Sequence, residues 1–165
     1  LPKVRLHIMG GVDDEEYGAE CHALVETLGV RDLIFTGRVN VVEYMEKLDF
    51  TILTSISEGQ PLSVLESLAA RRPCVTTEVG CCRELLEGAP GDDFGVAGFV
   101  TPPMYRKGLA DAMERMCVSR ARRIEMGERG QRRVATYFLH EQMLANYRAL
   151  YDETARAFNL PREGE

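Results

Sequence analysis

The sequence predicts an α/β domain: a parallel sheet covered by helices on both faces, followed by a purely helical C-terminal segment. Three observations carry this. Short β-branched runs alternate with stretches of helical period between Val4 and Thr101. The runs are too apolar for either face to be wet, which is how strands of a buried parallel sheet read. No strand candidate follows Pro103.

Val4 to Met9 (VRLHIM) is the first strand, ended by Gly10-Gly11. Asp14 to Leu28 is a helix, because Tyr17, Cys21, Leu24, Val25 and Leu28 recur at three- and four-residue intervals. Leu33 to Thr36 (LIFT) is the second strand, stopped by Gly37, and Val41 to Lys47 a short helix. Phe50 to Leu53 (FTIL) is the third strand and Pro61 to Ala70 the next helix, with Pro61 at its first position. Pro73 to Thr76 and Gly98 to Thr101 are further strands, separated by the helix Cys82 to Leu86 and a loop, Gly88 to Gly95. The remainder reads as helices Lys107 to Val118, Ala121 to Tyr137 and Glu141 to Phe158. Met113, Met116, Met126, Phe138, Met143, Leu144, Tyr147, Leu150 and Tyr151 form stripes that read as core packing. Arg120, Arg122, Arg123, Arg129, Arg132 and Arg133 read as a solvated basic face, with an anionic membrane surface the weaker reading.

The chain has 165 residues, 45% of them hydrophobic, enough for one compact domain. That domain is placed at 1–158, with a frayed tail at 159–165. A formal charge of −6 and a pI near 5.2 exclude a nucleic-acid surface as the main partner. Leu1 to Gly11 show neither a basic leader nor a long apolar run, and no stretch has the length of a membrane span. Cys21, Cys74, Cys81, Cys82 and Cys117 are odd in number and lack C-x-x-C spacing, as expected of reduced thiols in a cytoplasm. His7, His22 and His140 are scattered, so no metal site is expected and none needs to serve as a base.

The chemistry concentrates in Thr54 to Glu66, TSISEGQPLSVLE. Glu58 precedes a Gly59-Gln60-Pro61 turn, and Glu66 lies one turn inside the helix that follows. The unpaired N–H groups of Leu62 and Ser63 and the helix dipole would attract a phosphate. The two carboxylates flank that anion position, and a carboxylate binds vicinal hydroxyls well, as in ribose recognition. The pattern therefore suits a sugar nucleotide. An ordinary alternative stands beside it: a surface glutamate, a solvated loop charge and a helix-starting proline. Gly10-Gly11, and Gly37 with Arg38 and Val39, would also let backbone approach a ligand, so that three strand ends meet at one crevice. The plain alternative there is a turn with Asp13 as helix N-cap and Gly37 as a strand stop.

Taken together, IMGGVDD (Ile8 to Asp14), LIFTGRV (Leu33 to Val39), SEGQPLSVLESLA (Ser57 to Ala69), PCVTTEVGCCRELLEG (Pro73 to Gly88), GFVTPP (Gly98 to Pro103) and MGERGQRRVATYF (Met126 to Phe138) resemble the C-terminal half of retaining family 4 glycosyltransferases of the GT-B fold. The resemblance runs from Val4 to about Asp152. The loop GDDFGVAG (Gly91 to Gly98) and the start TSISEGQPL are further similar to the PelF branch of cytoplasmic transferases in bacterial exopolysaccharide synthesis.

The resemblance implies a Rossmann-like three-layer domain and a nucleoside-diphosphate sugar as substrate, UDP-sugar first, with no metal or other cofactor. It implies that Glu58 lies by the donor sugar and that Glu66 binds the ribose hydroxyls. Gly59, Gln60 and Pro61 form the turn at the sugar, Leu62 and Ser63 the helix start by the phosphates. Arg38 and Val39 run along the base, and Gly10 and Gly11 lie near the donor. The family's diphosphate-neutralising Arg and Lys belong before the strand that begins here at Val4, and its acceptor-binding N-terminal domain is also absent from this sequence. That domain, the donor and a membrane or polysaccharide-synthase complex are the implied partners. A nucleotide-sugar 2-epimerase of the same architecture and a non-catalytic nucleotide-sugar module are the rival readings. Cys81 and Cys82 stand where the family often has small residues, and the sequence gives them no role.

Overall fold

The computed structural model describes residues 4–158; the tail expected at 159–165 lies outside them. Among these residues five strands alternate with helices in the predicted order. They are β1 (Leu6–Met9), α1 (Glu15–Thr27), β2 (Leu33–Gly37), α2 (Val41–Met45), β3 (Thr51–Leu53), α3 (Leu62–Ala69), β4 (Cys74–Thr77), α4 (Cys82–Glu87), β5 (Gly98–Thr101), α5 (Arg106–Val118), α6 (Arg120–Tyr137) and α7 (His140–Phe158). Helix α1 is capped by Asp14, whose carboxylate accepts the Tyr17 N–H at 3.0 Å, so the cap falls one residue later than Asp13. Pro61 is the N-cap of α3, with extended backbone, and Leu62 is the first helical residue.

Every strand pairing is parallel, but the sheet is divided. β1 pairs with β2, setting Leu6 opposite Leu33 and Ile8 opposite Phe35. β4 pairs with β3 and β5, setting Cys74 between Thr51 and Gly98. β1 and β3 are not hydrogen-bonded to each other, so two parallel sheets replace the single one expected.

The core is built on β4, whose residues alternate between faces. Cys74 packs with Val64 and Leu68 of α3, Leu85 and Leu86 of α4, and Ala97; Val134 of α6 and Phe138 just after it close that layer. Val75 faces the other way, into Phe99, Ala112, Met116 and Met126. Leu68, Leu85 and Leu86 are wholly buried, each contributing about 1.5–3 kcal/mol by leaving water. Two glycines let helix α6 approach α3 and the chain that leaves it: a Cβ at residue 130 would lie 2.5 Å from Leu68 Cδ2, and one at residue 127 would lie 2.1 Å from the Arg71 carbonyl oxygen.

Three expectations are corrected here. The covering of both faces holds for β4 and β5 but not for the first sheet, where Ile8 and Ile34 are 42% and 39% exposed and α1 buries no residue. The apolar stripe of α7 is not core: Met143, Leu144, Tyr147, Leu150 and Tyr151 are all exposed, and α7 buries no residue. Arg133 is not on a solvated face. It is 1% exposed and spends all its donors: Nε and Nη2 on Asp92 at 2.5 and 3.1 Å, Nη1 on the Leu85 and Leu86 carbonyls, Nη2 again on the Gly95 carbonyl. Arg123 is tied down as well, to Asp49 at 3.0 Å and to the Met116 and Cys117 carbonyls.

Candidate functional site

The C-terminal ends of the strands carry the predicted residues, and the structure gathers them into two groups. The first joins the ends of β1 and β2. The Gly10 N–H donates to the Gly37 carbonyl at 3.0 Å, and Gly10 has φ +142°, a conformation open to glycine. Gly11 lies against Arg38, close enough that a Cβ on it would meet Arg38 Nε at 3.0 Å. Arg38 in turn approaches Asp13 at 3.6 Å, both side chains reaching into solvent. Val39 is half-buried just ahead of α2.

The second group joins the ends of β3 and β4. Pro61 is buried, Glu58 half-buried, and Gly59, Gln60, Leu62, Ser63 and Glu66 are exposed around it. The turn is fixed from the β4 side. The Cys81 N–H donates to the Gly59 carbonyl at 2.9 Å, and Thr77 Oγ1 donates to the Ser55 carbonyl at 2.6 Å. Gly80, at φ +50°, lies so near that any Cβ would overlap the Glu58 and Gly59 carbonyls.

The N–H groups of Leu62 and Ser63 find no acceptor among the described residues, and no side chain caps α3. Helix α3 therefore presents open donors and the positive end of its dipole to solvent beside Glu58, with Glu66 a turn further on. An oxyanion is the group such a start accepts, and the carboxylates beside it accept hydroxyls.

Thr77, Gly80 and Cys81 are the residues that motif reasoning leaves out. A glycine three residues past a strand end, in TTEVG, is the signal that could have found them. The Cys81 thiol is half-buried and raised above its usual pKa, chiefly by burial and against a hydrogen bond with Gln60. Cys82 is raised too, first by burial.

No hydrogen bond or ion pair joins the two groups among the described residues, because the strands that would carry them together, β1 and β3, are unpaired. A cavity of about 580 Å³ lies elsewhere, between β5, α5 and α6, and is lined by none of the predicted residues.

Comparison with known proteins decides the lineage of this arrangement. The family model described as glycosyl transferases group 1 matches residues 1–118. The chain belongs to the group 1 glycosyl transferases. Among curated relatives, N-acetyl-alpha-D-glucosaminyl L-malate synthase of Bacillus anthracis is 28% identical over 135 residues, covering 81% of this chain and 34% of that protein. The O-antigen biosynthesis glycosyltransferase WbnH of Escherichia coli is 35% identical over 88 residues, covering 53% of this chain and 24% of its own length. The chain thus spans about a third or less of the length of these curated relatives.

Among solved structures, sucrose-phosphate synthase from Thermosynechococcus elongatus superposes with a TM-score of 0.83 at 22% identity, over 95% of this chain and 40% of that one. Anabaena HepE, solved in complex with UDP-glucose, gives 0.75 at 21% identity over 90% of this chain and 42% of that one. These likenesses establish the fold of this group 1 domain, the Rossmann-like C-terminal half of a GT-B glycosyltransferase.

Proposed function

We propose that this domain binds the nucleoside-diphosphate sugar donor of a retaining glycosyltransferase, with UDP-sugar the first donor to test. The observation that carries the reading is the start of α3, where the open Leu62 and Ser63 amides lie between Glu58 and Glu66 on a turn pinned by Gly80 and Cys81. The diphosphate sits at the amides, Glu66 accepts from the ribose diol, and Glu58 with the Gly59-Gln60-Pro61 turn meets the sugar. Arg38 and Val39 run along the base, and Gly10 and Gly11 give the backbone room beside the donor. Neighbouring folds solved with UDP-glucose or UDP support a UDP-sugar as the donor class.

In the reaction, the bond between the sugar's anomeric carbon and the diphosphate oxygen breaks, and a bond to the acceptor hydroxyl forms on the same face. The acceptor proton leaves with the diphosphate. Positioning and charge stabilisation supply the rate, so this chain need offer neither a nucleophile nor a metal. The acceptor is held by a second, N-terminal domain of the whole protein, and the cleft between the two halves is the active site. The GDDFGVAG loop supports a cytoplasmic role in exopolysaccharide synthesis, at or near a membrane-bound polymerising complex.

The test is product analysis with the longer natural protein and UDP-glucose or UDP-N-acetylglucosamine. Transfer with retained anomeric configuration, abolished by Glu58→Ala, is the expected result. An inverted product, or interconversion of the sugar without transfer, overturns the reading.

A further inference from the structure

The N-terminal ends of β3 and β4, opposite the Glu58–Glu66 turn, carry a charged constellation that the donor reading leaves unused. A pocket of about 60 Å³ is lined there by Asp49 ahead of β3, Arg71 and Arg72 ahead of β4, and Arg120, Arg123 and Ile124 at the start of α6. Four guanidiniums thus meet one carboxylate, in a chain whose formal charge is −6.

Local structure brings each arginine to this place. Helix α3 ends in a paired turn: the Arg71 N–H donates to the Leu68 carbonyl at 3.0 Å and the Arg72 N–H to the Ser67 carbonyl at 2.8 Å. The first residue past such an end takes a left-handed conformation that suits glycine, yet here it is Arg71, at φ +58°. Gly127 packs on the same turn and so sets the start of α6 alongside it.

Two of the four side chains are locked. Arg72 donates from Nε to the Met45 carbonyl at 3.0 Å and from Nη2 to the Glu46 carbonyl at 3.2 Å. Arg123 is held by the Met116 and Cys117 carbonyls and by Asp49, and its side chain is only 14% exposed. Arg71 and Arg120 are exposed, and their side chains make no hydrogen bond or ion pair among the described residues.

Without an anion this arrangement is unfavourable on three counts. Glycine would hold the turn at residue 71 with less strain. The first turn of α6 carries Arg120, Arg122 and Arg123 and no acid, the reverse of what the positive end of a helix favours. Gathered guanidiniums also repel one another. An oxyanion in the pocket offsets the last two and gives the Arg71 side chain a partner.

Size and charge narrow the class. Pockets for whole organic ligands run to roughly 300–1,000 Å³, so this one takes a single oxyanion group. Guanidinium forks match phosphate oxygens, and a dianion answers four cations better than a monoanion does.

We propose that Arg71, Arg72, Arg120 and Arg123 form a binding site for a phosphomonoester dianion, its phosphoryl group in the pocket and the rest of the molecule outside. Two sources share this chemistry: free phosphate or a soluble phosphorylated compound, and the headgroup of phosphatidic acid. None of the four residues is assigned to the donor above except by neither sheet nor turn, so the two readings stand or fall separately.

The test is calorimetric titration of inorganic phosphate into the longer natural protein, in phosphate-free buffer at neutral pH and constant ionic strength. One phosphate site is expected that Arg71→Gly and Arg120→Ala each weaken by about tenfold or more, the loss of a charged hydrogen bond. Arg71→Gly should melt no lower than the natural protein without phosphate. Absence of phosphate binding, or binding that both substitutions leave unchanged, overturns the proposal. A lower melting temperature for Arg71→Gly without phosphate marks Arg71 as structural and overturns it as well. Cosedimentation with phosphatidylcholine vesicles containing phosphatidic acid separates the sources. Capture that both substitutions abolish and free phosphate reverses supports the site with a lipid headgroup; phosphate binding without capture supports it with a soluble ligand.

Discussion

Gly80 stands so close to Gly59 that a Cβ on Gly80 would lie 2.1 Å from the Gly59 carbonyl oxygen. The same position has φ +50°, which L side chains rarely adopt. Gly80→Ala must therefore push the Glu58–Pro61 turn away from β4. The expected outcome is a stability loss of about 1–3 kcal/mol by urea titration, together with weaker UDP-sugar binding by calorimetry. Thr77→Val gives a milder test: it removes the bond to the Ser55 carbonyl without a steric clash and should weaken binding more than it lowers the melting temperature.

Glu66 is exposed on α3 and bonded to no other side chain among the described residues. Glu66→Ala should leave the melting temperature within about a degree or two, because surface changes of this kind stay within roughly 0.5 kcal/mol. Donor affinity should fall by the equivalent of a charged hydrogen bond, about 1.5–3 kcal/mol. Binding to this chain alone is expected to be weak, about high-micromolar to millimolar, since each charged contact it lacks is worth roughly 1.5–3 kcal/mol, so ligand-observed NMR is the suitable readout. Unchanged affinity with a large loss of stability would mark Glu66 as structural.

Arg133 and Asp92 make the buried ion pair of the domain, with side-chain exposures of 1% and 3%. Arg133→Ala leaves Asp92 and three carbonyls without their donor and should cost about 3–5 kcal/mol. The guanidinium holds the Asp92 carboxyl below its ordinary pKa, through its hydrogen bonds first. A depressed carboxylate contributes stability that is complete above the unfolded value, about 3.9, and is lost as pH falls through the folded value. Urea midpoints measured from pH 6 to pH 3 should drop more steeply for the natural chain than for Asp92→Asn.

Much of this fold was legible in the sequence. Each predicted strand and helix exists, and β5 falls on Gly98–Thr101 as read, because Gly and Pro punctuate short apolar runs clearly. Arg133 was not legible. Its spacing among the arginines of α6 is that of a surface residue, and it is the end of α4 and the loop that follows that cover it. The stripe on α7 misleads in the opposite sense: periodicity reports that a helix has an apolar face, and says nothing of what covers it. At the site, spacing draws attention to Glu58, Pro61 and Glu66, and the structure sets them on one turn and the helix after it; Thr77, Gly80 and Cys81 carry no such signal, because their contacts to that turn run across strands.

Thiol chemistry offers a separate probe of the turn. Burial raises Cys74 to about 11, so it should resist iodoacetamide at pH 8 unless the domain unfolds. Cys81 is half-buried beside Gln60, and a bound donor would cover it. Saturating UDP-sugar should slow alkylation of Cys81 and leave Cys117, on α5, unchanged; mass mapping of the labelled peptides distinguishes them. Equal slowing at both would point to general stiffening of the fold.

Helix α7 runs for 19 residues without a buried side chain, joined to α6 mainly through Gln142, which accepts from the Leu139 N–H and donates to the Thr136 carbonyl. A helix that buries no side chain forgoes the tertiary packing that supplies most helical stability in proteins. In this chain α7 should therefore open on its own, at little free-energy cost, while the β4 core stays shut. Trypsin, cutting after Arg148 or Arg156, would trim it first and leave the rest as a resistant fragment.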